Sequence, residues 1–268
     1  MTTLFLIFVV AAAVGLLGSM LGIGGGVLII PLLTLFFDIP IKTAIGASIV
    51  SVIATSSAAG AVYVGHGMTH SRLAMILEIA TTLGALAGGI TAVLMNPRLL
   101  QAIFAAVLLY VVYSMRRLPK EESETCPTGT LDTTFFDPVA DHWITYGVSN
   151  LRAGLGASFL AGNISGLLGI GGGIIKVPIM TLVMHMPLRA AIATSNFMIG
   201  VTAATSAVIY YGHGYLDPQV AVPTALGVLL GAQIGPRLGQ RARIQTLKLI
   251  FQGLLVLFAF QMLWKAVV

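Results

Sequence analysis

The chain has 268 residues, 57% of them hydrophobic and only 9% charged, with a mean hydropathy of +0.98. A soluble globular chain carries about 25% charged residues, so a soluble domain is excluded and an integral membrane protein remains. The net charge of +5 then speaks for basic cytoplasmic loops and against nucleic acid as a partner.

Taken in order, Leu4 to Leu21 is a first apolar segment. Ala11-Ala12-Ala13 imitates a signal-peptidase site, but no basic residue precedes the segment, and it is expected to be a retained span. A matching apolar segment, Gly147 to Leu168, lies too far along the chain to be a signal peptide. The cluster Gly22-Ile23-Gly24-Gly25-Gly26 ends the first segment, since four glycines in five residues cannot hold a regular helix. Val27 to Phe37 follows as roughly 16 Å of helix, too short to cross a ~30 Å bilayer core. A turn at Asp38-Ile39-Pro40 leads to a long helix, Ile41 to Val64, and a polar turn holding His66 and His70. Helices from Arg72 to Met95 and Pro97 to Met115 complete the first half, with Asn96-Pro97 as the break between them.

Arg116 to His142 is the only long polar stretch and carries six of the nine acidic residues, Glu121, Glu122, Glu124, Asp132, Asp137 and Asp141. It is expected to link two halves, with a short interfacial piece around Phe135, Phe136 and Trp143. Cys126 lies in it as a lone thiol, which excludes an intrachain disulfide and gives no metal or redox pattern. Beyond it come Gly147 to Leu168, a second cluster, Ile174 to Met184, a turn at Pro187, and helices Leu188 to Tyr211, Pro218 to Leu238 and Thr246 to Val267.

The second half repeats the first at a constant offset of 147. Gly22 matches Gly169, Pro31 matches Pro178, Pro40 matches Pro187, and Tyr63 to Gly67 match Tyr210 to Gly214. Such self-similarity signals a duplicated architecture. The predicted organisation is a first membrane repeat over 1–116, a cytoplasmic linker over 117–143 and a second repeat over 144–268.

Lysines and arginines decide the orientation. If each cluster is the tip of a helical hairpin, one side of the membrane holds Arg72, Arg116, Arg117, Lys120, Arg189, Arg237, Arg241, Arg243 and Lys248, and the other only Lys42, Arg98 and Lys265. A straight crossing at each cluster would divide them about evenly, so positive-inside prefers the hairpin. Each half then has five elements, which inverts the halves relative to each other and puts both termini outside. The expected fold is all-α integral membrane, with two inverted repeats of about five helical elements, each including a broken-helix hairpin. That is a transporter design with its site near the midplane.

The clusters are the first candidates for chemistry. Each short helix starts just after one, so its first N–H groups are unsatisfied and carry the positive end of a dipole. Two such ends aimed at one place make an anion site, built on Gly24, Gly25 and Gly26 and on Gly171, Gly172 and Gly173. Close helix packing is the competing explanation; it fits Gly84 and Gly88 better than the clusters. Lys176, alone on an apolar short helix, is a further anion ligand, although Ile29 is its counterpart. Ser48 and Ser195 offer hydroxyls on the following helices, and Asn196 a buried amide. Glu78 is the one acid well inside a span, suited to proton coupling or to pairing with a neighbouring helix or with Arg72. His66 and His213 close the equivalent turns as gates or interface anchors. No cofactor, metal pattern or catalytic constellation appears, and the chain is not expected to be an enzyme.

With its two G-x-G-G-G-x-x-x-x-P strings, Gly22 to Pro31 and Gly169 to Pro178, the chain resembles the TauE/SafE (sulfite exporter) family over nearly its whole length outside the linker. The resemblance implies a multi-pass transporter of the bacterial inner membrane. Its substrate would be a small sulfur-containing anion such as sulfite, sulfoacetate or another organosulfonate, and export its direction. Duplication with broken helices favours alternating access over the alternative, an anion channel. The expected partners are that anion, the lipid bilayer and a second copy of the chain in a homodimer.

Overall fold

Ten helices and one small β-hairpin make up the computed structural model, which describes residues 2–22, 24–116, 131–137, 141–239 and 244–267. The first half holds α1 (Thr2–Met20), α2 (Gly26–Phe36), α3 (Ile41–Gly65), α4 (Ser71–Leu94) and α5 (Pro97–Arg116). The strands β1 (Thr133–Asp137) and β2 (His142–Tyr146) follow. The second half holds α6 (Leu151–Leu168), α7 (Gly173–Leu182), α8 (Leu188–Gly212), α9 (Pro218–Gly239) and α10 (Ile244–Val267). Glu121, Glu122, Glu124 and Cys126 lie outside the described residues. Seven helices, α1, α3, α4, α5, α8, α9 and α10, are long and apolar enough to span a bilayer, while α2 and α7 are short. Exposed Leu83, Leu86, Ile90 and Leu94 on α4, and Trp264 near the end of α10, are what a lipid-facing surface requires. The chain is an all-α, multi-pass membrane protein.

The clusters break the helices for a specific reason. Gly22, Gly24 and Gly25 have φ of 71°, 78° and 74°, and Gly169, Gly171 and Gly172 have 66°, 74° and 71°. Three left-handed residues within four positions exclude side chains with a Cβ. The chain then turns back. In the second half Met184, just past α7, accepts a bond from the Ser149 N–H (3.2 Å), and Val183 accepts one from Asn150 Nδ2 (3.0 Å), so α7 ends where α6 begins. In the first half Gly25 lies against Val14, and a small groove is shared by Ile7, Val10 and Ala11 of α1 with Ile29, Leu33 and Phe37.

The halves interleave. Helix α1 packs on α9 of the other half, and α6 packs on α4. Glycines permit both approaches: Gly84 and Gly88 meet the backbone of α6 at Phe159 and Asn163, while Gly227 and Gly231 meet that of α1 at Phe8 and Ala12. These contacts agree with packing as the role of Gly84 and Gly88. At the centre α3 and α8 run antiparallel. Gly46, early in α3, touches Tyr215 beyond the end of α8. The His70 N–H, past the end of α3, donates to Thr194 early in α8 (3.0 Å).

The linker holds more structure than an interfacial piece. Phe135 pairs with Ile144 and Phe136 with Trp143 across an antiparallel hairpin. Alternation buries Phe135, Asp137, Ile144 and Tyr146 on one face and leaves Phe136 and Trp143 on the other. Burial raises the pKa of the Tyr146 phenol and keeps it protonated. The hairpin is tied to the starts of α4 and α8: His70 Nε2 bonds the Leu131 carbonyl (2.9 Å), and Arg189 Nε lies 3.4 Å from Asp137 Oδ2. Because His70 Nδ1 accepts the Leu73 N–H, Nε2 carries the ring proton.

Candidate functional site

The two glycine turns meet at the centre of the molecule, and the contacts between them are reciprocal. Ser48 of α3 donates to the carbonyl of Gly169 in the second cluster (2.8 Å). Ser195 of α8, its counterpart at the offset of 147, donates to the carbonyl of Gly22 in the first (2.8 Å). A Cβ on Gly24 would stand 2.6 Å from Ile199 Cδ1, and one on Gly171 2.6 Å from Val52 Cγ1, where Val52 and Ile199 are again counterparts. The last glycine of each cluster has an ordinary φ, so backbone freedom does not require it. Contact does: a Cβ on Gly26 would lie 2.6 Å from Ser48 Oγ and 3.0 Å from the Gly169 carbonyl oxygen. A Cβ on Gly173 would run into the Gly22 carbonyl and lie 3.0 Å from Ser195 Oγ.

These turns put two helix starts together. The carbonyls of Gly25 and Gly172 accept from Leu28 and Ile29 and from Ile175 and Lys176. Among the described residues no acceptor serves the N–H groups of Gly26, Val27, Gly173 and Ile174, all of them buried. Donors of this kind, at the positive ends of two helix dipoles, have the chemistry to serve hydrogen-bond acceptors that carry negative charge. Ser48 and Ser195 do not face these helix starts with free protons. They hold the carbonyls of the opposite turn, which keeps those lone pairs occupied.

Asn196, fully buried, spends its amide protons on the carbonyls of Ser19 (3.1 Å) and Ile192 (3.2 Å) and ties α8 to the end of α1. Thr55 similarly donates to the Gly24 carbonyl (3.1 Å). Lys176 and Glu78 form one unit: Lys176 Nζ lies 3.4 Å from Glu78 Oε2 and 2.9 Å from Thr202 Oγ1, and Thr202 donates to Glu78 Oε1 (2.6 Å). Of the readings of Glu78, pairing with a neighbouring helix is therefore met. Thr202 was the missing member; its signal in the sequence is that it stands where Thr55 stands in the first half.

His66 and His213 stay away from the turns. Both are exposed, and each Nδ1 bonds back to its own helix, at Val62 (2.7 Å) and Ile209 (2.8 Å). Because α3 and α8 are antiparallel, the two histidines lie at opposite ends of the molecule. Among the described residues no group of three His, Cys, Asp or Glu side chains could hold a metal ion.

Comparison with known proteins follows the same lines. The chain is 26% identical to "Probable membrane transporter protein YunE" of Bacillus subtilis, over 98% of each chain. It is 24% identical to "Probable membrane transporter protein MJ0441" of Methanocaldococcus jannaschii, over 96% of this chain and 94% of that one. It is 27% identical to a "Probable membrane transporter protein" of Xylella fastidiosa, over 96% and 92%. No solved structure matches. The family model described as "Sulfite exporter TauE/SafE" matches residues 7–262, and the chain belongs to that family of membrane transporters.

Proposed function

We propose that the chain is a secondary transporter that carries a small sulfur-containing anion, such as sulfite, sulfoacetate or another organosulfonate, across a bacterial inner membrane. Its oxygens would accept the N–H groups of Gly26, Val27, Gly173 and Ile174 at the meeting of the two glycine turns. The carrying observation is that these four donors are buried, have no acceptor among the described residues and belong to the two halves in equal number. A sulfite or sulfonate group, with three oxygens, can take bonds from both sides at once. The antiparallel setting of α3 and α8 supports repeats inverted across the membrane. The tightness of the turns supports alternating access: a methyl group does not fit between them, so on this reading an anion enters when the halves part. Export is the direction given in the family's name.

The test is flux of labelled sulfite and sulfoacetate in proteoliposomes. A carrier gives saturable flux that rises when unlabelled anion is present on the opposite side. Flux that grows without saturation and shows no such counterflow would replace the carrier by a channel.

A further inference from the structure

We propose that Glu78 is a built-in competitor of the transported anion. Its carboxylate occupies the ammonium of Lys176 and the hydroxyl of Thr202, and it must take up a proton before an anion can have them. One proton therefore travels with each anion. The proposal rests on the anion-carrier function argued above and names its coupling ion.

The geometry is that of a held oxyanion. One carboxylate oxygen faces the Lys176 ammonium at 3.4 Å, and the other accepts the Thr202 hydroxyl at 2.6 Å. Lys176 lies three residues past Gly173, about 4.5 Å along α7, so its backbone belongs to the first turn of the helix that opens at the glycine cluster. An ammonium has three donors, and Glu78 and Thr202 are its two partners among the described residues. An anion arriving beside an ionised Glu78 would put two negative charges on one ammonium in a dry site, which is unfavourable. Protonation removes the conflict. The carboxylate becomes a neutral carboxyl group, and the proton leaves again when the anion does.

The pair is not needed to build the fold. At the counterpart place, offset by 147, Ile29 and Thr55 of the first half and Ala225 of the second stand where Lys176, Thr202 and Glu78 stand here, and none of the three is charged. A buried ion pair is a weak source of stability, so its presence on one side only calls for a function. Exposure is unequal: the Glu78 side chain is 13% exposed and that of Lys176 1%, so the acid is the less enclosed of the two.

Among the other titratable groups on the packed elements, Arg72 stands six residues before Glu78 on the same helix, about 9 Å by helical rise. Arg72 opens α4 behind its cap His70, Arg152 opens α6, Arg189 opens α8, and Tyr210 and Tyr211 close α8. Lys176 is the one such group on α7.

The experiment uses the purified full chain in detergent. A thermal-shift screen with methanesulfonate, sulfoacetate and sulfate, whose charge is fixed from mildly acidic to mildly alkaline pH, selects the anion that binds. Calorimetry in two buffers of different ionisation heat then counts protons taken up per anion over that range. Wild type takes up close to one proton, and its affinity falls about tenfold per pH unit on the alkaline side. Glu78→Gln keeps a partner for Thr202 but binds with no proton uptake and a flat pH profile. The double variant Lys176→Ile with Glu78→Ala copies the counterpart place; it folds and binds the anion at least about tenfold more weakly. Wild-type binding without proton uptake, or uptake retained in Glu78→Gln, or wild-type affinity in the double variant, overturns the proposal and leaves the anion site between the turns intact. Failure of every anion in the screen to bind wild type overturns the transport function, and the coupling with it.

Discussion

Alanine at Gly173 will cut anion flux about a hundredfold while the protein still inserts. The added methyl group would run into the Gly22 carbonyl, which Ser195 already holds in place from the other side. The carbonyl is backbone and not the end of a flexible side chain, so the two turns must move apart. Displacing a built site by about an ångström costs on the order of a hundredfold in rate, and that is the expected loss in proteoliposome flux. Gly26→Ala at the equivalent place should act likewise, because its methyl meets Ser48 Oγ at 2.6 Å and the Gly169 carbonyl at 3.0 Å. Overpacking of this kind costs about 1–3 kcal/mol, so a moderate fall in thermal midpoint is expected, short of unfolding. Wild-type flux in a folded Gly173→Ala protein would separate the turn from transport.

Removing Lys176 alone will have the largest effect on stability. Lys176→Ala leaves Glu78 with a negative charge among apolar neighbours and only the Thr202 hydroxyl to serve it. Taking one partner from a buried ion pair costs about 3–5 kcal/mol. Removing the charge from the other partner by Glu78→Gln should cost less, and Lys176→Ile combined with Glu78→Ala should recover most of the loss, as the uncharged counterpart place implies. Thermal midpoints of the three variants check the order. Equal midpoints for Lys176→Ala and the double variant would mean that Glu78 finds another partner.

The membrane class, the element order and the glycine turns were legible because each rests on local chemistry. Runs of apolar residues need only be counted, and four glycines in five positions break any helix. The offset of 147 also made counterparts visible, so Ser48 with Ser195 and Val52 with Ile199 could be paired before any contact was known. What those residues touch could not be read. Ser48 bonds a carbonyl 121 positions away, and nothing local in its helix distinguishes that from a bond to its own turn or to an anion. Lys176 and Glu78 were each conspicuous as lone charges, yet 98 positions separate them and only the packing of α4 and α7 around α8 makes them one group. The β-hairpin was hidden by length: each strand has only five residues, too few for a clear alternating pattern. The exchange of α1 and α6 between the halves left a trace in Gly84, Gly88, Gly227 and Gly231, but small-residue spacing names no partner.

The central claim is that one anion is held by both turns, and backbone amide exchange tests it at the donors themselves. Hydrogen–deuterium exchange of peptides covering 24–30 and 171–177 should be measured with and without a saturating anion. Slowed exchange in both peptides is expected, because each contributes two N–H groups to the same ligand, with little change in the packing segment around Gly84 and Gly88. Binding that protects only one of the two peptides, or neither, would contradict a shared site.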